Sequence, residues 1–156
     1  MAVKTKDFDL GYTKILREMK KLDQSPKVKV GWPEEEAKAT AQHSDSGLTV
    51  AQIAIIHEFG SVLQNIPERS MLRATHDAKA KEWSKLTQKL AGQIFDGKLS
   101  VEGALDKLGI VMLRDVKNRI SSGIPPALKH RDGTPLVDTA QMLNATTYVR
   151  IMDGKK

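Results

Sequence analysis

The stretch that decides the fold is the apolar segment Val50-Ala51-Gln52-Ile53-Ala54-Ile55-Ile56-His57-Glu58-Phe59-Gly60. Thr49 precedes it and is a suitable N-cap, because its hydroxyl can accept a hydrogen bond from a backbone N–H that the first helical turn leaves free. Gly60 stands where many helices end in a residue of positive φ. The segment is apolar on most sides. We therefore predict a helix over residues 49–59 that is buried, either in the core or in an interface between subunits.

Two long helices are predicted downstream from apolar residues at spacings of three and four. After a linker over residues 61–67, the first runs from Glu68 or Arg69 to Asp96. The second begins at Ser100, its N-cap, and has Gly123 as its C-cap. The apolar stripes are Ala80, Trp83, Leu86, Leu90 and Ile94 on the first helix and Val101, Leu105, Leu108, Met112, Val116 and Ile120 on the second.

Upstream of the apolar segment, the sequence predicts one helix and one strand. The helix covers residues 9–22, with Asp7 or Asp9 as its cap, and the strand covers residues 27–32, where apolar and polar residues alternate. Pro26 stops the helix because proline has no backbone N–H to donate. The apolar face of the helix consists of Tyr12, Ile15, Leu16, Met19 and Leu22.

Near the end of the chain, residues 136–143 are predicted to form a short helical turn capped by Asp138 or Thr139. Residues 146–151 alternate and are rich in β-formers, which predicts a second strand. We therefore expect one α+β domain over residues 1–156, in which a small antiparallel sheet packs against several helices, two of them long. Residues 153–156 are expected to be a frayed tail.

Two polar segments, residues 33–48 and 122–135, are predicted to be long mobile loops. Neither shows an apolar period, and loops of this length in a compact domain are usually functional or flexible. We expect the first to be poorly ordered in the free subunit and to become ordered against a partner.

The composition is that of a globular protein, with 40% hydrophobic and 28% charged residues in a chain of 156. The chain contains no cysteine, which excludes disulfides and thiolate metal sites. Residues 1–10 lack the apolar core of a signal peptide, and no later stretch is long enough to span a bilayer. We expect folding in a reducing cytoplasm and no membrane partner. The formal net charge of +6 permits a nucleic-acid or acidic partner without establishing one.

No constellation typical of catalysis or metal binding is found. His57 and Glu58 would belong to a zinc-protease motif only with a second histidine at position 61, which is Ser61. The sequence has neither a glycine-rich phosphate loop nor a nucleophile elbow. We therefore predict no catalytic residue, no metal and no cofactor, and expect that the protein is not an enzyme. A small hydrolase whose groups meet only in space stays a rival interpretation.

Basic residues on the first long helix are candidates for contact with DNA. A lysine-rich face could follow a phosphate backbone, whereas the interleaved Asp77 and Glu82 favour an ordinary solvated face. A small basic nucleic-acid-binding protein is therefore the alternative function. The candidate residues are Arg73, Lys79, Lys81, Lys85 and Lys89.

Three motifs in order resemble the neck, or tail-completion, proteins of tailed bacteriophages, often described as minor tail or virion morphogenesis proteins. The apolar segment ending in His57-Glu58-Phe59-Gly60, followed by Ile66-Pro67-Glu68-Arg69-Ser70-Met71-Leu72, is similar to that family's central helix and the start of its long helix. Val28-Lys29-Val30-Gly31 is similar to its early strand. Pro135-Leu136-Val137-Asp138-Thr139-Ala140-Gln141-Met142-Leu143 resembles its late turn.

The resemblance has departures. Ser70 and Met71 stand where the family usually has proline and phenylalanine. Ala140 stands where glycine is usual, from which we expect a turn without positive φ at this position.

The resemblance implies a structural virion protein at the junction of head and tail, made in the host cytoplasm. Copies of the chain would form a cyclic ring in a stack, between the portal or head-completion (connector) protein and the tail terminator or tail-tube protein. Phage DNA would pass through the lumen, with non-specific contacts. The two loops would dock on adjacent rings. The corner between the apolar helix and the long helix would be held by His57, Glu58, Phe59, Gly60, Ile66, Pro67 and Arg69.

Overall fold

Two long antiparallel helices and a two-stranded sheet organise the fold in the computed structural model, which describes residues 11–42, 46–126 and 140–152. The elements are α1 (Tyr12–Leu22), β1 (Lys27–Gly31), α2 (Ala37–Thr40), α3 (Val50–Phe59), α4 (Leu72–Phe95), α5 (Val101–Ser121), α6 (Gln141–Ala145) and β2 (Thr147–Ile151). The predicted α+β class, with two long helices and a small antiparallel sheet, is confirmed.

The sheet pairs the two predicted strands and lies against α5. The register places Lys27 opposite Ile151 and Gly31 opposite Thr147. The close approach of sheet and helix depends on Gly109, because a Cβ atom at this position would overlap the Tyr148 ring. Glycine is therefore required here by packing.

The core consists of two groups of buried side chains. The larger group joins α3, α5 and α6 to Met71, which is fully buried just before α4. The smaller group lies where the end of α4 meets the start of α5. Between the groups, the Trp83 indole N–H donates to a carboxylate oxygen of Asp115 at 2.9 Å, which ties the middles of the long helices together.

Helix α1 differs from its prediction in its start and in the face it buries. It begins at Tyr12, and its N-cap is Gly11, which makes no side-chain cap bond. Asp7 and Asp9 lie outside the described residues. Only part of the apolar face is covered, because Glu18 points inward and is 6% exposed. The exposed part consists of Tyr12, Leu16 and Met19, with exposures of 69%, 39% and 43%.

Glu18 explains this orientation. Its carboxylate accepts a hydrogen bond from the backbone N–H of Val101 at 2.7 Å, at the start of α5. Lys21 bridges Glu18 and Glu102, with 2.8 Å separating its ammonium nitrogen from a carboxylate oxygen of each. A negative charge is favoured at a helix N-terminus, so this contact rotates α1 away from full burial of its apolar stripe.

The loop prediction for residues 33–48 was wrong in part. Helix α2 lies within this segment, and Ala39 is fully buried. Gln42 forms an isolated antiparallel bridge with Thr49. The buried Ala39 side chain anchors this segment to the domain, which its polar composition did not predict. Residues 43–45 lie outside the described part, and mobility of the segment stays a prediction.

Two other predictions, on the start of the long helix and on the turn before α6, also need correction. The long helix begins at Leu72 and not at residue 68 or 69, because residues 68–70 are irregular and run back past the end of α3, where the Arg69 N–H bonds the His57 carbonyl. Helix α6 has Ala140 as its N-cap, with φ 50°, so the expectation that this turn avoids positive φ was wrong. The proposed caps Asp138 and Thr139, most of the loop 122–135 and the tail 153–156 lie outside the described residues. In the described ranges, no helix is long and apolar enough to cross a membrane.

Candidate functional site: the corner between α3 and α4

The predicted motif residues meet in one place, which we call the corner and define as residues 57–73. Helix α3 starts with a capping box in which Thr49 and Gln52 satisfy each other's backbone N–H groups, as the sequence predicted for Thr49. It ends at Gly60, whose φ is 71°. The chain then turns through residues 61–66, where Ser61 and Ile66 exchange two backbone hydrogen bonds of 2.8 Å. The Arg69 N–H donates to the His57 carbonyl at 2.7 Å and closes the turn.

Gly60 is held against the returning chain. A Cβ atom at this position would lie 2.8 Å from the Glu68 nitrogen and 3.0 Å from the Ile66 carbonyl oxygen. Both neighbours are backbone atoms in a hydrogen-bonded turn, so they cannot easily move aside. Glycine tolerates both the positive φ and the close backbone contact, which supports its predicted place in the motif.

The Glu58 carboxylate is the centre of the corner and is 4% exposed. One oxygen accepts from the backbone N–H groups of Met71 at 2.6 Å and Leu72 at 2.9 Å. The other accepts from the Ser70 hydroxyl at 2.8 Å and the Arg73 N–H at 3.0 Å. Helix α4 has no cap side chain at its own N-cap. Glu58, from the preceding helix, satisfies the free N–H groups of its first turn.

The environment of Glu58 has opposing effects on its pKa. Burial raises the pKa of the carboxyl. Four hydrogen bonds outweigh this effect and lower the pKa below 4.5; they come from the Arg73 and Leu72 N–H groups, the Ser70 hydroxyl and the Met71 N–H. The group is therefore a buried carboxylate at neutral pH. Both carboxylate oxygens accept hydrogen bonds from residues 70–73, so neither is free for proton transfer.

Arg73, one of the predicted basic-face residues, is held in this corner by several contacts. Its guanidinium donates to the Glu58 carbonyl at 3.0 Å and to a carboxylate oxygen of Glu68 at 2.6 Å. The guanidinium carbon also lies 4.8 Å from the centre of the Phe59 ring, in a cation–π geometry. One side chain thus joins the end of α3, the turn and the start of α4.

Arg69 connects the corner to the chain after α5, and His57 is buried close to Arg69. Arg69 is 5% exposed, and two of its guanidinium nitrogens donate to the Pro126 carbonyl at 3.3 and 2.9 Å. The Nδ1 atom of His57 is buried and makes no hydrogen bond with the described residues. Burial lowers the pKa of His57 below 6.5, and the nearby positive charge of Arg69 acts in the same direction. The imidazole is therefore kept neutral.

The remaining predicted basic residues do not form one face. Lys79 pairs with Glu82 at 3.0 Å and lies on the side of α4 that faces Asp115. Lys81, Lys85 and Lys89 follow each other at intervals of four, so they share one side of the helix. We call these three the lysine stripe. They are exposed and form no ion pair within the described residues.

Sequence reasoning located the corner and named Glu58 among the residues that hold it, but it did not identify the Glu58 carboxylate as the cap of α4. Ser70 was interpreted only as a departure from the family pattern. The available signal was a carboxylate in the last turn of α3, where it opposes that helix's own dipole. Such a residue is better placed to serve the N-terminus of another helix. Ser70 fits this arrangement, because its hydroxyl also accepts from the Ala74 N–H at 3.0 Å.

Comparison with known proteins adds no identification. No family model, no curated protein and no solved structure matches the chain. Within the described ranges, no group of three or more histidine, aspartate or glutamate side chains is placed to hold a metal ion. The function must therefore be inferred from the motif residues and from the geometry of the corner.

Proposed function

We propose that this protein is a structural subunit of the neck of a tailed bacteriophage, forming part of a ring stack that joins the portal side to the tail. In this proposal the chain has no catalytic role. Its neighbours are further copies of itself, a portal or head-completion protein on one side and a tail terminator or tail-tube protein on the other.

The observation that carries the proposal is the construction of the corner. The residues behind the resemblance are separated in sequence, at 57–60 and 66–69, yet the Arg69 N–H bonds the His57 carbonyl and Gly60 packs against Glu68 and Ile66. Apart from the buried Nδ1 atom of His57, the polar groups of the motif hold two helices against each other, which is typical of a structural role. A catalytic motif would leave polar atoms free to meet a substrate.

Two further features are consistent with assembly. The turn after α3 carries Val62 and Leu63, which are 99% and 101% exposed, and Ile55 and Phe59 on α3 are 59% and 61% exposed. Apolar side chains in such a cluster often mark a contact with another protein. Helix α3 was predicted to be buried in the core or in an interface, and its exposed half suits the second of these.

The decisive experiment looks for the protein in purified phage particles and then removes its gene. We expect the protein in intact particles, and in its absence DNA-filled heads separated from tails. Complementation with the wild-type chain should restore joined particles. Absence of the protein from particles, or turnover of a small molecule by the purified chain, would overturn the proposal.

The lysine stripe favours a second function, non-specific contact with DNA. Three ammonium groups on one side of α4, none of them paired with a carboxylate in the part of the chain that the structure describes, could neutralise phosphates and release counterions. Binding would then weaken steeply with salt. Replacing Lys81, Lys85 and Lys89 together by glutamine should abolish binding of the isolated subunit to duplex DNA if this function is correct. Lys79→Gln is the matched control, since this lysine already pairs with Glu82. No binding by the wild-type chain at physiological salt would exclude the DNA-binding alternative.

A further inference from the structure

Helix α1 lies across the place where α4 ends and α5 begins, which we call the joint and define as residues 96–100. The Lys14 ammonium donates to the Gly97 carbonyl at 2.9 Å, one residue past the C-cap of α4. The Glu18 carboxylate accepts from the Val101 N–H at 2.7 Å, at the start of α5. Because the end of a helix carries a partial negative charge and its start a partial positive charge, each of these side chains meets a helix terminus of opposite sign.

Apolar packing supplies only part of the attachment of α1. Glu18 is the one buried residue among the eleven of this helix, all of which the structure describes. Ile15 and Leu22 are half-buried: Ile15 lies beside Gly97, and Leu22 packs against the smaller core group. The other apolar side chains of α1 are exposed, as described above. The helix is therefore attached largely by its charged contacts with the two helix ends at the joint.

Lys21 strengthens this attachment. Its ammonium nitrogen lies 2.8 Å from a carboxylate oxygen of Glu18 and equally close to one of Glu102, in the first turn of α5. Burial raises the pKa of Glu18, but hydrogen bonds from Lys21 and from the Val101 N–H outweigh this effect and lower the pKa below 4.5. Glu18 is therefore ionised at neutral pH, and removal of Lys21 would leave two carboxylates facing each other at the start of α5.

The joint also has bonds of its own that do not involve α1. The Gly97 N–H donates to the Ile94 carbonyl at 2.9 Å, and the Ser100 hydroxyl caps α5 by accepting from the Gly103 N–H at 3.1 Å. Farther along, the indole–carboxylate bond described above ties the middles of the long helices together. Detachment of α1 would therefore leave α4 and α5 packed against each other.

We propose that α1 is a strap held by charge, which opens away from the joint as one unit while α4 and α5 stay packed. Segments with few buried apolar contacts open at a lower free energy than the core. A helix of eleven residues is marginal by itself in water, so opening also unwinds α1. The open form uncovers the Val101 N–H and the apolar side chains around Leu22. This inference concerns the single chain and does not depend on the proposed function.

Hydrogen exchange of the full-length native protein tests this inference, followed by NMR at pH 7 and at urea concentrations below the unfolding transition. We expect the backbone amides of residues 15–22 to share one opening free energy, lower than that of the amides in the middles of α4 and α5. Their exchange should depend only weakly on urea, because opening of α1 exposes little surface. Equal free energies and urea slopes for the three helices would overturn the inference.

Two substitutions separate the opening of α1 from complete unfolding. Ile120→Val, in the larger core group, destabilises the open and closed forms alike, so exchange in α1 should be unchanged while exchange in the middles of α4 and α5 rises about fivefold. Glu18→Gln weakens only the closed form and should raise exchange in α1 about tenfold. The long helices should show the same factor with Glu18→Gln, because the unfolded chain also lacks this contact. Faster exchange of α1 in Ile120→Val, or unchanged exchange of α1 in Glu18→Gln, would overturn the inference.

A matched pair of lysine substitutions tests the part played by the bridge to α5. Lys21→Gln should raise exchange in α1 about threefold or more, because it removes the cation between the two carboxylates. Lys20→Gln removes the same charge from an exposed neighbour on the same helix and should leave exchange in α1 unchanged. Equal effects of the two substitutions would contradict an attachment through specific charged contacts.

Discussion

Glu58→Gln tests whether one buried carboxylate holds the start of α4. The substitution keeps the shape of the side chain and replaces one carboxylate oxygen by an NH2 group, which donates where the wild-type atom accepts. In the wild-type protein, the two oxygens accept from four different residues, Ser70, Met71, Leu72 and Arg73. The amide therefore cannot satisfy all of them in either orientation.

The cost follows from the less damaging orientation. If the NH2 group takes the place of the oxygen near Ser70, the Ser70 hydroxyl can rotate to accept from it, but the Arg73 N–H is left without an acceptor. An unsatisfied buried donor costs about 1–3 kcal/mol. The bonds to Met71 and Leu72 persist but lose their charge-assisted character, which about halves their strength. We expect a total loss of about 3 kcal/mol. Glu58→Ala, which removes every acceptor, should cost about 4–5 kcal/mol.

The assay is urea unfolding at pH 7, followed by tryptophan fluorescence and circular dichroism, with the free energy of unfolding taken from the linear dependence on urea. Glu68→Gln is the matched control. It removes a carboxylate that also binds Arg73 but is 55% exposed, so we expect a loss below about 0.5 kcal/mol. Equal losses for Glu58→Gln and Glu68→Gln would refute the reasoning.

The pH dependence provides an independent check. Because the folded protein holds the pKa of Glu58 below 4.5, its stabilising contribution is complete above pH 4.5 and is lost as the pH falls from there through the folded pKa. The difference in unfolding free energy between wild type and Glu58→Gln should therefore be constant from pH 7 to about pH 5 and shrink at lower pH. A difference that stays constant down to pH 3 would contradict a lowered pKa.

Three other perturbations have defined outcomes in the same assay. Gly60→Ala should lower the free energy of unfolding by about 2 kcal/mol or more, because the position has a positive φ and a Cβ atom would clash with backbone. Gly92→Ala, in open space inside α4, should raise it by about 0.5–1 kcal/mol. No loss of stability in Gly60→Ala would contradict the steric explanation. Glu18→Gln should destabilise by about 1–2 kcal/mol at neutral pH, since it weakens the charged contact with the first turn of α5, and the loss should diminish as the pH falls below 4.5. The pKa of His57 is lowered below 6.5, so the unfolding free energy of the wild type should decline as the pH falls below 6.5. His57→Asn should reduce the slope of unfolding free energy against pH between pH 6.5 and 5. An unchanged slope would show that His57 is not the group responsible.

The corner shows how far local sequence signals reach. Thr49 and Gly60 were identified as the ends of α3 because capping and positive φ depend on neighbouring residues in the chain. The start of α4 could not be located in this way. Its first turn is satisfied by Glu58, 14 residues before Leu72, and such a contact exists only after the chain has turned back through residues 61–66.

Helix α1 shows the same limit for burial. Periodicity correctly placed Tyr12, Leu16 and Met19 on one face, but it could not show that this face is partly exposed. The side turned inward was decided by Glu18, whose partner Val101 lies 83 positions away. Likewise, the pairing of Arg73 with Glu58 on another helix could not be read from local sequence. The pairing of Lys79 with Glu82, three positions away in the same helix, is of the local kind that the interleaved acidic residues had indicated.

What the sequence by itself determined were the two strands, the helices other than α2, the caps at Thr49 and Ser100, and the α+β class, because periodicity and capping arise between residues a few positions apart. Only the tertiary structure decided which carboxylates are buried and which apolar side chains remain in water. Those outcomes depend on which carboxylate reaches the N-terminus of each helix. This is fixed only when α1 packs against α5 and α3 packs against α4.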